Sequence, residues 1–317
     1  MTRAGADRPT GLAGGSVGST RPAGPAGPVW PGWRPVAELV RLPAVLSVPG
    51  DVLVGAASAG WPFGRRTLGL AAASGCLYWA GMALNDWADR DEDAVDRPGR
   101  PIPSGRVRPG FALGLASGLT AAGVTLAAVS GGRRALRVAA PLAGTIWAYD
   151  LGAKATRAGP LVMAAARGLD VLLGAGGRVS AWPAAGTVAG HIAAVTTLSR
   201  VETTGGPAAA RAARAALAGT ALVTAASLAV ARRKSTVDGR LPAGLLAGYP
   251  AAVSGAQLAA ARDPSPATVQ RAVGAGILGL IPLQAGLLAA AGSPRLGGAL
   301  GTLWPLARRL SRRMSPT

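Results

Sequence analysis

The sequence predicts an all-α, polytopic membrane protein with nine transmembrane helices. Half of its 317 residues are hydrophobic and only 15% are charged, a balance that favours a membrane protein over a soluble domain. The apolar residues are collected into uncharged runs, and each of the longer runs could cross a hydrocarbon core of ~30 Å as a helix. A soluble bundle rich in Gly and Ala would instead carry charged side chains at helical spacing along every helix.

The two ends of the chain differ from its middle. Residues 1–33 are rich in Gly, Pro, Ala and Arg and lack the apolar core of a signal peptide, so we expect a disordered cytoplasmic tail. Residues 34–295 are predicted to form one transmembrane domain. Residues 296–317 combine Trp304 with several arginines, which predicts a basic helix or tail at the membrane interface.

Nine hydrophobic segments follow the tail. In chain order they are 36–59, 67–84, 110–131, 138–149, 159–176, 179–199, 212–231, 241–261 and 272–291. Prolines inside several of them are tolerated in membrane helices, where neighbouring groups satisfy the freed backbone. If the helices cross in turn, the connections after the second, fourth, sixth and eighth segments share one face of the membrane. The polar residues of those connections are therefore expected to gather.

The connection after the second segment holds an unusual acidic motif within the sequence NDWADRDEDAVDRPGRPIPSGRV, residues 85–107. Asn85, Asp86, Asp89 and Asp93 are spaced by three or four residues, which on a helix places them on one face. Crowded carboxylates repel each other unless a cation neutralises them, and carboxylate and amide oxygens are ligands of Mg²⁺. Magnesium held in this way usually completes its shell with water and with phosphate oxygens of a substrate.

Arginines follow the acidic motif directly. Arg97 and Arg100, with Arg106 and Arg108 behind them, could hold a phosphate group, because guanidinium makes bidentate contacts with it. The alternative is a solvated acidic loop with local Arg–Asp pairs. The regular spacing, the apolar helix before the motif and the prolines after it favour a functional site.

These residues resemble the first signature of the UbiA superfamily of intramembrane prenyltransferases. Asn85, Asp86, Asp89 and Asp93 match its pattern N-D-x-x-D-x-x-x-D, and residues 97–105 match the continuation R-P-x-R-P-I-P-S-G. The resemblance implies a UbiA-type helical bundle in the cell (inner or plasma) membrane, with its site toward the cytoplasm. It also implies that the matched residues bind Mg²⁺, which grips the diphosphate of an isoprenoid substrate while the prenyl group moves to an aromatic or other lipophilic acceptor.

Two further stretches bear on the same resemblance. Tyr149 and Lys154 resemble a family Tyr and Lys that hold the diphosphate, although Lys154 and Arg157 could instead be interfacial anchors. The second UbiA signature, D-x-x-x-D, is replaced by LSRVETTGG, which leaves one carboxylate, Glu202, and a neighbouring Arg200. Glu202 could complete a single Mg²⁺ site, and Arg200 could supply the charge of the missing metal. The pattern S-R-x-E-x-x-G-G, with residues 264–285, resembles an Ebo-type branch of UbiA-like proteins.

The resemblance assigns roles to these residues as a set. Catalysis is expected from Asp86, Asp89, Lys154 and Arg200; diphosphate binding from Arg97, Arg100, Tyr149, Lys154 and Arg200; and metal binding from Asn85, Asp86, Asp89, Asp93 and Glu202.

Ionisable residues inside the predicted helices form a third group. Arg167 and Asp170 are three apart and can pair on one helix face. Such residues are costly in a membrane and usually functional, so with Asp150 they are candidates for orienting the acceptor, the alternative being a structural ion pair between helices. The single histidine, His191, is expected to be a hydrogen-bonded packing residue.

The predicted function is Mg²⁺-dependent transfer of an isoprenoid group. The missing second aspartate pair motivates an alternative, a UbiA-fold protein that binds or translocates a prenylated or aromatic metabolite without transferring the group. The net charge of +19 does not indicate nucleic acid, because the arginines form short groups between apolar runs, as interfacial anchors do. The long uncharged runs argue against a soluble terpene synthase.

Overall fold

The computed structural model describes residues 31–41, 49–234 and 240–314. All regular secondary structure in these ranges is helical, which confirms the predicted all-α class. Most of the predicted N-terminal tail lies outside the described residues. The helices are α1 (Trp33–Leu39), α2 (Pro49–Ser58), α3 (Arg65–Ala88), α4 (Arg90–Asp96), α5 (Pro109–Leu151), α6 (Gly159–Gly174), α7 (Trp182–Ser199), α8 (Gly206–Lys234), α9 (Arg240–Arg262), α10 (Pro266–Ala290) and α11 (Pro294–Met314). Two 3₁₀ turns, Ala153–Ala155 and Val179–Ala181, precede α6 and α7.

Four of the described helices are long and apolar enough to cross a membrane: α3, α5, α8 and α10. The first predicted segment, 36–59, is not one described helix. It contains the end of α1 and the ten-residue α2, and residues 42–48 between them lie outside the described ranges.

Helix α5 reverses direction at Gly132. Its 43 residues contain one residue with non-helical dihedral angles, Gly132, at φ 71° and ψ −165°. The Trp147 indole donates a hydrogen bond to Thr120 Oγ1 at 3.0 Å across 27 residues. A straight helix would separate these residues by ~40 Å at 1.5 Å per residue. The two limbs of α5 therefore run antiparallel, as the separate segments 110–131 and 138–149 predict.

Close contacts between small residues hold the bundle together. An added Cβ on Gly55 would lie 1.9 Å from the Val171 carbonyl oxygen, and one on Gly174 would lie 2.2 Å from that of Val52. Glycine at these positions lets the backbones of α2 and α6 touch, as is common between membrane helices.

His191 joins three helices. Its Nδ1 lies 2.8 Å from the Tyr249 hydroxyl and its Nε2 lies 3.0 Å from the Gly276 carbonyl oxygen. The ring is 1% exposed. These contacts confirm the prediction that His191 is a hydrogen-bonded packing residue.

The bundle has two ends, which we call the acidic face and the basic face. The acidic face contains the end of α3, α4, and residues 152–158 and 200–205. The basic face contains the start of α3, the reversal at Gly132, and residues 175–181. Arg66, at the start of α3, donates to the Gly131 carbonyl at 3.4 Å, whereas the end of α3 contacts Lys154 through Asp89. The connections after the second, fourth and sixth predicted segments thus meet at one face, as alternation predicts.

Candidate functional site

The acidic motif lies where α3 ends and α4 begins. Helix α3 stops at Ala88, and Asp89 forms a break of one residue before α4 starts at Arg90. Backbone hydrogen bonds bridge the break, with Asp89 donating to Asn85 and Asp93 to Asp89 at 2.9 and 2.8 Å. The motif is therefore not carried on one unbroken helix, although helical hydrogen bonds continue through Asp89. The four polar side chains form two groups, and neither group is confined to one side of the break.

The first group is centred on Arg100. One nitrogen of its guanidinium, Nη1, donates to Asp86 Oδ1 at 3.1 Å and to Asp93 Oδ2 at 2.7 Å. Both carboxylates are buried, with 4% and 3% of their residue surface exposed. Arg41 contacts Asp86 at 3.3 Å, and Arg97 lies 3.6 Å from Asp93. Two buried carboxylates thus contact the same guanidinium nitrogen.

The second group is centred on Asp89. The Lys154 ammonium forms an ion pair with Asp89 Oδ1, and the Asn85 amide donates to Asp89 Oδ2 at 3.1 Å. The same amide nitrogen lies 3.4 Å from Asp150 Oδ1, near the end of α5. Lys154 is therefore part of the site, whereas Arg157 is exposed to solvent.

Arg200 contacts the backbone of the connection that carries Lys154. Its Nη1 donates to the carbonyl oxygens of Lys154 and Thr156, at 3.1 and 2.6 Å. Glu202 forms no ion pair and no side-chain hydrogen bond with any described residue, so the structure brings Arg200, but not Glu202, into contact with the predicted site residues. In this arrangement, Arg200 positions Lys154.

The donor atoms suit a hard divalent cation, although basic side chains lie between them here. Among the described residues, no three acidic, histidine or cysteine side chains are grouped closely enough to hold a metal ion. However, Asp86 and Asp93 present oxygens to one point, now contacted by a guanidinium nitrogen. Mg²⁺ needs only one or two carboxylates when phosphate oxygens supply the other ligands. The residues therefore fit the ion as part of a metal–diphosphate complex.

An apolar cavity of about 350 Å³ adjoins the motif between α3, α5 and α6. Asn85, Tyr149 and Asp150 line its end near the acidic face. Its middle is formed by hydrophobic side chains and a glycine, namely Leu77, Gly81, Met82, Leu142, Ile146, Met163 and Ala166. An apolar cavity that opens beside clustered charged residues suits a ligand with a charged head group and a hydrocarbon tail.

Ionisable side chains also line the far part of the cavity, where Arg167 and Asp170 lie near Ser74. Arg167 does not pair with Asp170 as its spacing suggested. Its Nη2 lies 2.8 Å from Asp51 Oδ2 of α2, and the Gln284 amide donates to Asp51 Oδ1 at 2.7 Å. The ion pair joins two helices, which is the alternative considered for this position. Helical spacing of three residues allows a pair but cannot exclude a better-placed partner on another helix.

Arg41 also belongs to the site, although no sequence motif marks it. This residue lines the cavity, contacts Asp86 and has a positive φ of 48°. Such a conformation is uncommon for a residue other than glycine and is found most often at turns and functional sites. The available signal was an arginine inside an otherwise apolar segment, the same signal that drew attention to Arg167.

Comparison with known proteins supports the fold. Residues 46–204 match the sequence profile of the UbiA prenyltransferase family. Over 76 residues, which are 24% of this chain and 28% of the relative, the chain is 45% identical to digeranylgeranylglyceryl phosphate synthase of Methanopyrus kandleri. Over 59 residues, 17% of this chain and 19% of the relative, it is 42% identical to the bacteriochlorophyll synthase 33 kDa chain of Rhodobacter capsulatus. The chain spans about a third or less of the length of the curated relatives it matches.

Solved structures are similar over nearly their whole length. A UbiA homologue from Aeropyrum pernix superposes with a TM-score of 0.63 at 20% identity, covering 78% of this chain and 98% of that one. A UbiA homologue from Archaeoglobus fulgidus, bound to GPP and Mg²⁺, superposes with a TM-score of 0.60 at 13% identity, covering 80% and 99%. At this level of identity the similarity establishes the fold.

Proposed function

The chain belongs to the UbiA prenyltransferase family, and we propose that it is an integral-membrane prenyltransferase. It would move an isoprenoid group from a prenyl diphosphate to an aromatic or other lipophilic acceptor, with Mg²⁺ as cofactor. One observation carries this proposal: the apolar cavity opens directly beside the aspartate motif, with Asn85 belonging to both. A prenyl chain could occupy the cavity while its diphosphate lies among the charged groups.

The charged groups at the acidic face would stabilise the leaving diphosphate. Magnesium, held by Asp86 and Asp93 with Asn85, Asp89 and Glu202 as further candidates, would neutralise charge on the phosphate oxygens. Arg97, Arg100, Lys154 and Tyr149 would donate hydrogen bonds to the same oxygens as negative charge builds on them. Arg200 would hold Lys154 in place through the backbone of residues 154–156.

The cavity would protect the allylic cation that remains. Its walls are mainly hydrophobic, so they exclude the water that would otherwise capture the cation. Asp150 lies at the motif end of the cavity, and Arg167 and Asp170 line its far part. These three residues would orient the polar group of the acceptor toward the cation.

The proposal includes the arrangement of the chain in the membrane. Nine transmembrane segments that follow a cytoplasmic N-terminal tail over residues 1–33 would place the acidic face toward the cytoplasm. Residues 296–317 would form a basic interfacial region. The first turns of α11 pack closely on α10. An added Cβ on Gly297 would lie only 2.4 Å from the Ala285 carbonyl oxygen. Assignment to the Ebo-type branch remains a prediction from the S-R-x-E-x-x-G-G pattern.

A second candidate function is binding or translocation of a prenylated or aromatic metabolite without group transfer. The observation in its favour is that Glu202 stands alone where the family carries an aspartate pair and contacts none of the four motif residues. A protein of this kind would bind prenyl diphosphates and leave them intact.

The test is a purified-protein assay with labelled prenyl diphosphates of several lengths and a panel of lipophilic acceptors. The Asp86→Asn variant is expected to lower Mg²⁺-dependent diphosphate release by about a hundredfold or more, because the negative charge of a buried ligand is lost. Asp91→Asn is the matched control, since the side chain of Asp91 is 86% exposed and its one ion pair with a described residue is to Arg90. Binding without release by the wild-type protein would support the carrier, and unchanged turnover in Asp86→Asn would refute the proposed site.

A further inference from the structure

A second cavity opens on the basic face. It has a volume of about 590 Å³ and is lined by Arg134, Arg137, Arg178, Val179 and Ser180 among others. The first two belong to the C-terminal limb of α5, and the rest belong to the segment that joins α6 to α7. The length of α3 separates this cavity from the aspartate motif by roughly 35 Å. The transfer reaction has no evident use for it.

The cavity lies within a concentration of positive charge. Three arginines line it, namely Arg134, Arg137 and Arg178, and Arg66 contacts the loop that carries Arg178. Among the residues that the structure describes, no carboxylate lies within ion-pair distance of any of these guanidiniums, whereas the arginines bordering the motif are paired. Like charges held close together destabilise the protein unless an anion compensates them.

Packing fixes part of this charge in place. The guanidiniums of Arg66 and Arg178 lie against the same indole ring, 4.4 and 4.2 Å from the centroid of Trp61. Gly176, at φ 59°, leaves room for Arg66, because an added Cβ would lie 2.3 Å from its Nη2. An added Cβ on Gly177, at φ 76°, would lie 2.9 Å from the Arg134 carbonyl oxygen. The loop that carries Arg178 is thus packed against α5 at Arg134, and the side chains of Arg134, Arg137 and Arg178 line one cavity.

Apolar side chains are exposed beside the arginines. Val179, which lines the cavity, is 77% exposed, Trp182 is 61% exposed and Phe63 is 73% exposed. Exposed tryptophan at a helix end is typical of the level of lipid head groups. A ligand that fits both features carries an anionic group for the arginines and hydrocarbon for the apolar rim.

We propose that this cavity is a binding site for an anionic phospholipid, with its phosphate held by Arg134, Arg137 and Arg178. Guanidinium matches phosphate oxygens in a bidentate manner. The acyl chains would lie along the exposed apolar side chains.

The test measures lipid binding to the full chain in mild detergent by native mass spectrometry. Phosphatidylglycerol is the probe, phosphatidylcholine tests the need for net negative charge, and glycerol phosphate tests the need for acyl chains. The triple variant Arg134→Gln, Arg137→Gln, Arg178→Gln is expected to bind phosphatidylglycerol on the order of a hundredfold more weakly. The matched control, Arg211→Gln, Arg214→Gln, Arg271→Gln, removes the same charge from exposed positions on the acidic side and is expected to bind as the wild type does.

The single variant Arg137→Gln covers the case in which the triple variant does not fold, because the Arg137 side chain is exposed. It is expected to weaken binding about fivefold. Equal weakening by the two triple variants would show that the effect comes from diffuse charge, and equal binding of phosphatidylcholine would show that net negative charge is not needed. Either result would overturn the proposal. Competition by glycerol phosphate as effective as that by the lipid would overturn the assignment to a phospholipid.

Discussion

Arg167 shows how one side chain can serve both the packing and the cavity of this protein. Its guanidinium neutralises Asp51, which is completely buried, and Gln284 donates to the other carboxylate oxygen. The same arginine lines the apolar cavity near Asp170. An ionised carboxylate in such a place is tolerated only because these partners replace the water that it loses. The pair therefore fixes the position of α2 against α6.

Removal of one partner is expected to destabilise the protein strongly. Arg167→Met leaves Asp51 buried without its counter-ion, a change that typically costs about 3–5 kcal/mol. Thermal unfolding in detergent measures the loss. Adding Asp51→Asn to the same chain should restore most of the stability, because the uncompensated charge is then absent.

Asp91→Asn serves as the exposed control for this pair and should change stability by less than about 1 kcal/mol. If Arg167→Met and Asp91→Asn unfold at the same temperature, the Asp51–Arg167 pair does not bear on the packing of the bundle.

At the scale of the helices, the sequence predicts where the hydrophobic segments lie better than it predicts whether each segment forms one unbroken helix. The two apolar runs of α5 and the alternation of its limbs follow from hydrophobicity and from the polar residues between the runs. The break at Asp89 cannot be predicted in this way, because the hydrogen bonds around Asp89 resemble those of a helix and no proline or glycine marks the position. The separation of α1 from α2 does not follow from the sequence either, since Arg41 lies in a run that hydrophobicity alone treats as one segment.

The reversal in α5 depends on the conformation of one residue. Gly132 has φ 71° and ψ −165°, a combination that is open essentially to glycine alone. An added Cβ would meet no atom within 4 Å, so a substitution there tests the backbone conformation and not the packing. Gly132→Ala is expected to lower the free energy of unfolding by about 1–3 kcal/mol.

Gly118 is the matched control, because it lies in the same element, its added Cβ also meets nothing within 4 Å, and its backbone is helical. Gly118→Ala should be neutral or stabilise the protein by less than about 1 kcal/mol. Thermal unfolding of the two variants in detergent provides the comparison. Equal stability of both variants would mean that the turn does not need a positive φ.

At the scale of the whole molecule, the acidic site is assembled from connections that are distant in sequence. Asp89 meets Lys154 across 65 residues, and Arg200 meets the carbonyl of Lys154 across 46. The sequence predicted these residues through a resemblance and through the alternation of helices. It could not predict that Arg100 would join Asp86 to Asp93, because side chains on a proline-fixed turn have no regular spacing to follow.

The alternating direction of the transmembrane helices also predicts which residues are accessible from each side of the membrane. The chain has a single cysteine, Cys76, which is half-buried within α3. In a Cys76→Ala background, Phe63→Cys places one thiol at the basic face, where Phe63 is 73% exposed, and Thr203→Cys places one at the acidic face, where Thr203 is exposed. Because the acidic face is proposed to meet the cytoplasm, a membrane-impermeant maleimide should label Thr203→Cys only in inverted vesicles and Phe63→Cys only in spheroplasts.

Both thiols should react after solubilisation. Labelling of both thiols from one side of the membrane would contradict the alternation of the helices. The reverse pattern would agree with the alternation but refute the proposed orientation of the bundle in the membrane.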